Sequence, residues 1–234
     1  MSSERPKRVI AILGMHRSGT SCLTGSLQQA GLFLGDHHAW NPYNLKGNRE
    51  NQGFVDLNDA VLAANGASWD HPPDPVSWPG ELQVRAQDLL RAHADHPVFG
   101  FKDPRTLLVL EGWKTLVPDL ELIGIFRHPC AVAESLRRRS RKPALESMAL
   151  WTTYNRILLR AWERSPFPLL CFDDDEATFK AAIRHASQFL SLPGNTDDED
   201  FYSEDLKRAH TASDTVTRQT QHLYDQLRTR RIRP

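Results

Sequence analysis

The residues most able to do chemistry lie near the amino end, in Gly14-Met15-His16-Arg17-Ser18-Gly19-Thr20-Ser21. The apolar run Val9-Ile10-Ala11-Ile12-Leu13 before them predicts a buried strand. Leu23 and Leu27, one helical turn apart, predict a helix from Ser21 onward. A strand, a tight turn bounded by glycines and a helix N-terminus form an anion cradle, because the first-turn amides have no partner within the helix and the helix dipole adds positive charge there. The spacing G-x-x-x-x-G is that of a phosphate loop, yet Thr20 follows the second glycine where a nucleoside-triphosphate enzyme carries lysine. The fixed cation is instead Arg17, inside the loop.

Two further cations stand where predicted strands end. Val98-Phe99-Gly100-Phe101 leads into Lys102-Asp103-Pro104-Arg105, and Leu120–Phe126 leads into Arg127-His128-Pro129. Ser135 lies within the helix expected after Pro129, so Arg127 and the Ser135 hydroxyl are placed to grip one phosphate by charge-assisted hydrogen bonds. A second phosphate site beside the first fits a nucleotide with phosphates on both sides of its ribose. A kinase using ATP and magnesium is the alternative: Leu170-Cys171-Phe172-Asp173-Asp174 has the form of a magnesium-binding strand end. The competing expectation makes Asp173 and Asp174 solvated or helix-capping carboxylates before Ala177–Leu190.

The elements needed to position these groups are legible in outline. Phe54, Leu57, Val61 and Ala64 predict one face of a helix from Gly53, and Glu81–Ala94 predicts an amphipathic helix. Between them Gly66–Gly80, with four prolines and with Trp69 and Trp78, reads as a long loop. Gly31–Gly35 is an edge strand or a loop, and Asp36–Asn51, with His37, His38, Trp40 and Tyr43, is polar and irregular. Met148, Trp151, Tyr154, Leu158 and Trp162 mark a core-facing stripe on a long helix, although Trp151 or Tyr154 is also a candidate adenine contact. Leu169–Phe172 reads as a last strand, Asp197–Asp205 as an acidic loop and Asp214–Thr229 as a final helix. Strands alternating with helices predict an α/β fold of three layers, a P-loop-like central sheet, mostly parallel, flanked by helices. In such sheets ligands bind beyond the carboxyl ends of the strands, which is where Arg17, Lys102 and Arg127 fall.

Composition narrows the partners. With 234 residues the expectation is a single domain spanning 1–234, its core about 8–192 and a helical tail about 206–234. Lysine plus arginine and aspartate plus glutamate both number 29, so nothing global points to nucleic acid. No apolar stretch reaches membrane-spanning length, and Met1–Lys7 lacks the apolar core of a signal peptide. Cys22, Cys130 and Cys171 lie without metal-site spacing and read as reduced, packed thiols of a cytoplasmic protein. His93 and His96 have no third ligand nearby, so no metal site is expected, and the basic stretch Arg137–Lys142 reads as a solvated face, with a covering role over the nucleotide as the alternative.

Taken together in this order, the three segments resemble the sulfotransferase family. Gly14–Ser21 resembles its 5′-phosphosulfate loop, in the arginine form of tyrosylprotein and many bacterial members. Arg127-His128-Pro129 with Ser135 is similar to the family's 3′-phosphate motif, and Lys102-Asp103-Pro104 to a Lys-Asp-Pro of tyrosylprotein sulfotransferases. The resemblance implies 3′-phosphoadenosine-5′-phosphosulfate (PAPS) as donor, adenosine 3′,5′-bisphosphate as product and no required metal. It implies nucleotide contacts from His16, Arg17, Ser18, Gly19, Thr20, Ser21, Arg127 and Ser135, and catalytic roles for Arg17 and Lys102. It also implies a catalytic base, for which Glu50 is the choice and His37, His38 and Asp56 are rivals. The chain departs from the family at the cytosolic members' loop lysine and at their C-terminal Arg-Lys-Gly motif, which Lys207-Arg208 echoes only in part. The acceptor is a small molecule, carbohydrate or peptide bearing a hydroxyl, selected by Asp36–Asn48 and Gly66–Gly80. A nucleotide-binding module without catalysis is the remaining alternative.

Overall fold

The computed structural model describes residues 5–38, 47–73, 75–194 and 216–233. Along the chain run β1 (Arg8–Leu13), α1 (Thr20–Gln29), α2 (Gln52–Ala64), α3 (Gly80–Arg91), β2 (Val98–Lys102), α4 (Leu110–Leu116), β3 (Glu121–Phe126), α5 (Pro129–Ser140), α6 (Ala144–Arg164), β4 (Leu169–Cys171), α7 (Glu176–Phe189) and α8 (Arg218–Arg230). A single 3₁₀ turn, Pro104–Leu107, follows β2. The strands form a four-stranded parallel sheet in the order β2-β1-β3-β4, the α/β architecture expected from the alternation of strands and helices. Among the described residues no helix is long and apolar enough to cross a membrane.

The chain divides into two compact units. The first comprises Met1–Leu13 and Leu32–Leu122. In it β1 and β2 pair in parallel, Arg8 opposite Val98 through Ile12 opposite Lys102, so Lys102 is the last residue of its strand. Every residue of β1 after Arg8 is buried, as its unbroken apolar run demands. Phe54, Leu57 and Val61 of α2 are fully buried, and Phe54 stacks on Phe101 and Trp113 with centroids 4.6 and 5.5 Å away. Ala64 corrects the predicted stripe: it is exposed, because the helix ends there. Gly31–Gly35 is a loop that joins the sheet by an isolated bridge, Phe33 opposite Phe99, with the Phe33 carbonyl accepting from the Gly100 amide at 2.8 Å. The proline-rich segment is a loop, as expected, up to Gly80, which opens α3. Trp78 pins that loop, meeting Trp113 edge to face at 5.3 Å.

The second unit comprises Gly14–Gly31 and Ile123–Pro234. Here β3 and β4 pair in parallel, Gly124 opposite Leu169 through Phe126 opposite Cys171. The predicted stripe of α6 is core: Trp151, Tyr154 and Leu158 are fully buried, and only Trp162 at the helix end is partly open. Helix α8 is capped by Thr217 and buries Leu223, Tyr224 and Leu227. Just beyond it the Ile232 amide donates to the Leu169 carbonyl at 2.8 Å, which gives the end of the chain a main-chain bond to β4. Trp40, Tyr43, Asp197–Asp205 and Lys207-Arg208 lie outside the described residues.

Candidate functional site

In the second unit the loop after β1 is held by steric necessity. A Cβ on Gly14 would stand 2.7 Å from the Ile125 carbonyl oxygen, and one on Gly19 would stand 2.3 Å from the Phe172 ring. Gly19 also has φ 89°, where a side chain is strained, so only glycine fits either end of the turn. Arg17 sits between them at φ 68° without being glycine. A side chain in that region costs about 1 kcal/mol and persists where surrounding structure holds it, typically at a binding or catalytic site. Helix α1 starts at Thr20 with no side-chain cap and no acidic residue in its first turn, so its own first turn puts no carboxylate against the positive end of the dipole. The Ser18 hydroxyl, in the same turn, is fully buried without a hydrogen-bond partner. Unsatisfied buried hydroxyls are uncommon in folded proteins and call for an explanation such as a ligand.

Arg17 joins two of the other predicted residues. Its Nε donates to Ser135 Oγ at 2.7 Å, and its carbonyl accepts from Arg127 Nη1 at 3.5 Å. Ser135 thus faces Arg17 directly, rather than sharing a contact with Arg127 alone. Arg127 is only 8% exposed. Its guanidinium lies over the Phe172 ring, 5.0 Å from the centroid, and the Asp173 carboxylate stands 3.9 Å from its Nε, beyond hydrogen-bond reach. Burial pushes the Arg127 pKa below its usual range, and Asp173 only partly opposes that shift. A buried guanidinium with one long hydrogen bond is an unusual expense for a fold, and an incoming anion would offset it. Trp151 donates from Nε1 to the Arg127 carbonyl at 2.9 Å, so the strand end is braced from the core.

The carboxylates after β4 differ from expectation. Asp174 is neither solvated nor a helix cap: it is buried and accepts from Arg231 Nε at 2.8 Å. The cap of α7 is Asp175, which accepts from the Thr178 amide. Asp173 Oδ2 accepts from the His128 amide at 2.6 Å and from Tyr224 Oη at 3.1 Å. No motif foretold the part played by Tyr224, because it lies 51 residues from Asp173 and only α8 brings it there.

In the first unit Lys102 Nζ donates to Glu50 Oε1 at 2.7 Å, with the lysine side chain 1% and the glutamate 15% exposed. The two residues singled out for catalysis there are therefore one ion pair. The backbone at Glu50 is fixed as well: its carbonyl accepts from the His38 amide, and Arg49 beside it has φ 57°. Of the rivals for the base, His37 lies between the Gly35 carbonyl, 2.8 Å from Nδ1, and the Arg49 guanidinium, 3.1 Å from Nε2. Asp56 accepts from Gln52 on the exposed side of α2. Beside Lys102, Asp103 is fully buried and accepts from Asn58 Nδ2 at 2.9 Å and Arg105 Nη1 at 2.8 Å. Burial pushes the Asp103 carboxyl up to about 6, Arg105 pulling it down and Glu50 adding to the rise. Asn58 in turn accepts from Trp113 Nε1, so the strand end that carries Lys102 is tied to the aromatic core.

Other groups take structural places. His93 stacks on Phe99 at 4.2 Å and His96 on Phe33 at 3.5 Å. Among the described residues no group of three or more histidine, cysteine, aspartate or glutamate side chains forms a metal-binding cluster. Arg137 and Arg138 pair with Glu134 on an exposed face of α5. Cys22, Cys130 and Cys171 are buried.

No protein-family model matches the chain, and no curated protein sequence matches it significantly. Solved structures do. The sulfotransferase domain of the olefin synthase from Synechococcus PCC 7002 superposes with a TM-score of 0.60 at 17% identity, over 96% of this chain and 96% of that one. The sulfotransferase STF1 from Mycobacterium tuberculosis H37Rv superposes with a TM-score of 0.51 at 13% identity, over 95% of this chain and 76% of that one. A likeness that extends over nearly the whole chain, despite so few shared residues, gives this protein the sulfotransferase fold.

Proposed function

We propose that this protein is a sulfotransferase that moves a sulfuryl group from PAPS to an acceptor hydroxyl. The observation that carries the reading is Arg127: a buried guanidinium without a hydrogen-bonded carboxylate, next to the glycine-bounded Arg17 turn and the uncapped start of α1. That arrangement suits a ligand with more than one anionic group. In the proposed complex, His16 to Ser21 receive the 5′-phosphosulfate on main-chain amides, the Ser18, Thr20 and Ser21 hydroxyls and Arg17, while Arg127 and Ser135 receive the 3′-phosphate.

The reaction we propose is an in-line displacement. The acceptor oxygen forms a bond to sulfur as the bond from sulfur to the 5′-phosphate oxygen breaks, and adenosine 3′,5′-bisphosphate leaves. Like phosphoryl transfer, such a step is mainly a matter of positioning and charge stabilisation. Arg17 and Lys102 are assigned to the negative charge that develops on the leaving oxygen and on the transferred group. Glu50 is assigned to the acceptor proton. Its 2.7 Å bond to Lys102 supports that role, because it holds the carboxylate beside the other group assigned to the reaction.

The kinase alternative draws less support. It needs a carboxylate at the end of β4 for magnesium, and there Arg231 holds Asp174 while Tyr224 and the His128 amide hold Asp173. Calorimetric titration of the whole protein, once with chelator and once with magnesium present, tests the reading. Adenosine 3′,5′-bisphosphate should bind more tightly than ATP, and labelled PAPS should label a hydroxyl acceptor from a mixed panel of carbohydrates, peptides and phenols. Binding of ATP that requires magnesium, with no binding of the bisphosphate, would overturn it. Tight bisphosphate binding with no turnover on any acceptor would favour the non-catalytic module.

A further inference from the structure

The position of Asp173 raises a question that the proposed binding roles leave open. A carboxylate so close to a buried guanidinium would ordinarily close on it as a bidentate pair, the strongest geometry available to the two groups. Here it does not. Asp173 Oδ2 is occupied by the His128 amide at 2.6 Å and by Tyr224 Oη at 3.1 Å, with Cys171 Sγ at 3.7 Å, while Oδ1 stays 3.9 Å from Arg127 Nε.

Tyr224 is itself held firmly. It is 4% exposed, and its ring meets those of His128 at 4.9 Å and Phe126 at 5.8 Å, edge to face in both cases. The end of its helix is fixed by Arg231 on Asp174 and by the Ile232 amide on the Leu169 carbonyl. All of these residues belong to the second unit.

We propose that Tyr224 is a specificity-determining positioning residue. By holding the Asp173 carboxylate in place it prevents that carboxylate from neutralising Arg127, and so keeps the guanidinium open to the 3′-phosphate of the donor. The inference rests on the sulfotransferase reading of Arg127 and adds to it a residue on the last helix. Tyr224 touches no substrate in this scheme; it acts through Asp173. Removal of its hydroxyl leaves Asp173 Oδ2 short of one donor, and the carboxylate then turns toward Arg127 and competes with the phosphate.

The test compares two probes, adenosine 3′,5′-bisphosphate and adenosine 5′-monophosphate, by calorimetry on wild-type protein, Tyr224→Phe, Asp173→Asn and the double variant. Wild-type protein should prefer the bisphosphate. Tyr224→Phe should lose about ten- to a hundredfold in bisphosphate affinity, the effect of one charge-assisted contact, with the monophosphate unchanged. The double variant should regain the preference, because its neutral amide at position 173 cannot compete for Arg127. Asp173→Asn alone should retain it. A role confined to packing would lower both affinities together and would not be rescued. A Tyr224→Phe protein with its preference intact, or a double variant without rescue, overturns the inference while the sulfotransferase reading stands. Equal affinities in wild-type protein overturn that reading and the inference with it.

Discussion

Arg17 is the residue on which the second unit's candidate site turns. It combines a strained backbone at φ 68° with a side chain on Ser135 and a carbonyl that receives Arg127. Arg17→Ala removes the cation and the Ser135 contact together. Loss of a preorganised charge contact in a water-poor site costs about 10²–10³ in turnover, and the variant should show that loss in single-turnover sulfuryl transfer, with weaker bisphosphate binding in calorimetry. Glu50 makes a separate prediction. Glu50→Gln keeps the size of the side chain and a partner for Lys102, but it cannot take a proton. Its turnover should fall by about 10²–10⁴, with bisphosphate affinity unchanged. Unchanged turnover would remove Glu50 as the base and return His37, His38 and Asp56 to consideration.

At the scale of elements, the strand-turn-helix at β1 and α1 is defined by what its glycines exclude. Gly19→Ala places a methyl 2.3 Å from the Phe172 ring at a φ of 89°. Neither the aromatic ring nor the helix start can give way without moving β4 or α1. The substitution should destabilise the protein by about 1–3 kcal/mol in urea unfolding and abolish measurable bisphosphate binding. A variant that bound the bisphosphate normally would show that the loop is a structural turn and not the phosphate cradle. The end of β2 is braced differently, by Asp103, Asn58, Arg105 and Trp113, a buried polar network that fixes the residue after Lys102.

At the scale of the whole molecule, that network should mark the dependence of stability on pH. The folded state binds the Asp103 proton more tightly than the unfolded chain, since burial raises its pKa from 3.8 to about 6. Its contribution therefore favours folding at low pH and is lost as pH rises between those values, leaving the full cost of a buried charge above them. Other carboxylates titrate with the opposite sign, as Glu134 does, held down to about 2 by Arg137 and Arg138. A comparison of wild-type protein with Asp103→Asn isolates the group. The stability of the variant relative to wild type, read from denaturation midpoints at pH 4 to 7, should rise with pH across that window and level off above it. A flat difference would show that Asp103 is charged throughout the window.

The sequence by itself determined the elements and the polarity of the loop. A short apolar run predicts a buried strand, and β1, β2, β3 and β4 all fell on such runs, of which only the first ends in glycine and enters a tight turn. The register of the glycines around Arg17 was equally local, and so was the stripe of α6. Partners distant in sequence could not be read in this way. That Lys102 pairs with Glu50, that Ser135 receives Arg17, and that Asp174 is bound by Arg231 are facts of side chains brought together from 52, 118 and 57 residues apart. A carboxylate that caps, one that is solvated and one that is buried in an ion pair have the same local sequence signature. Only the packing that removes water from Asp174, and sets the Tyr224 hydroxyl against Asp173, decides among them, because the energy of a charge depends on what surrounds it rather than on what precedes it in the chain.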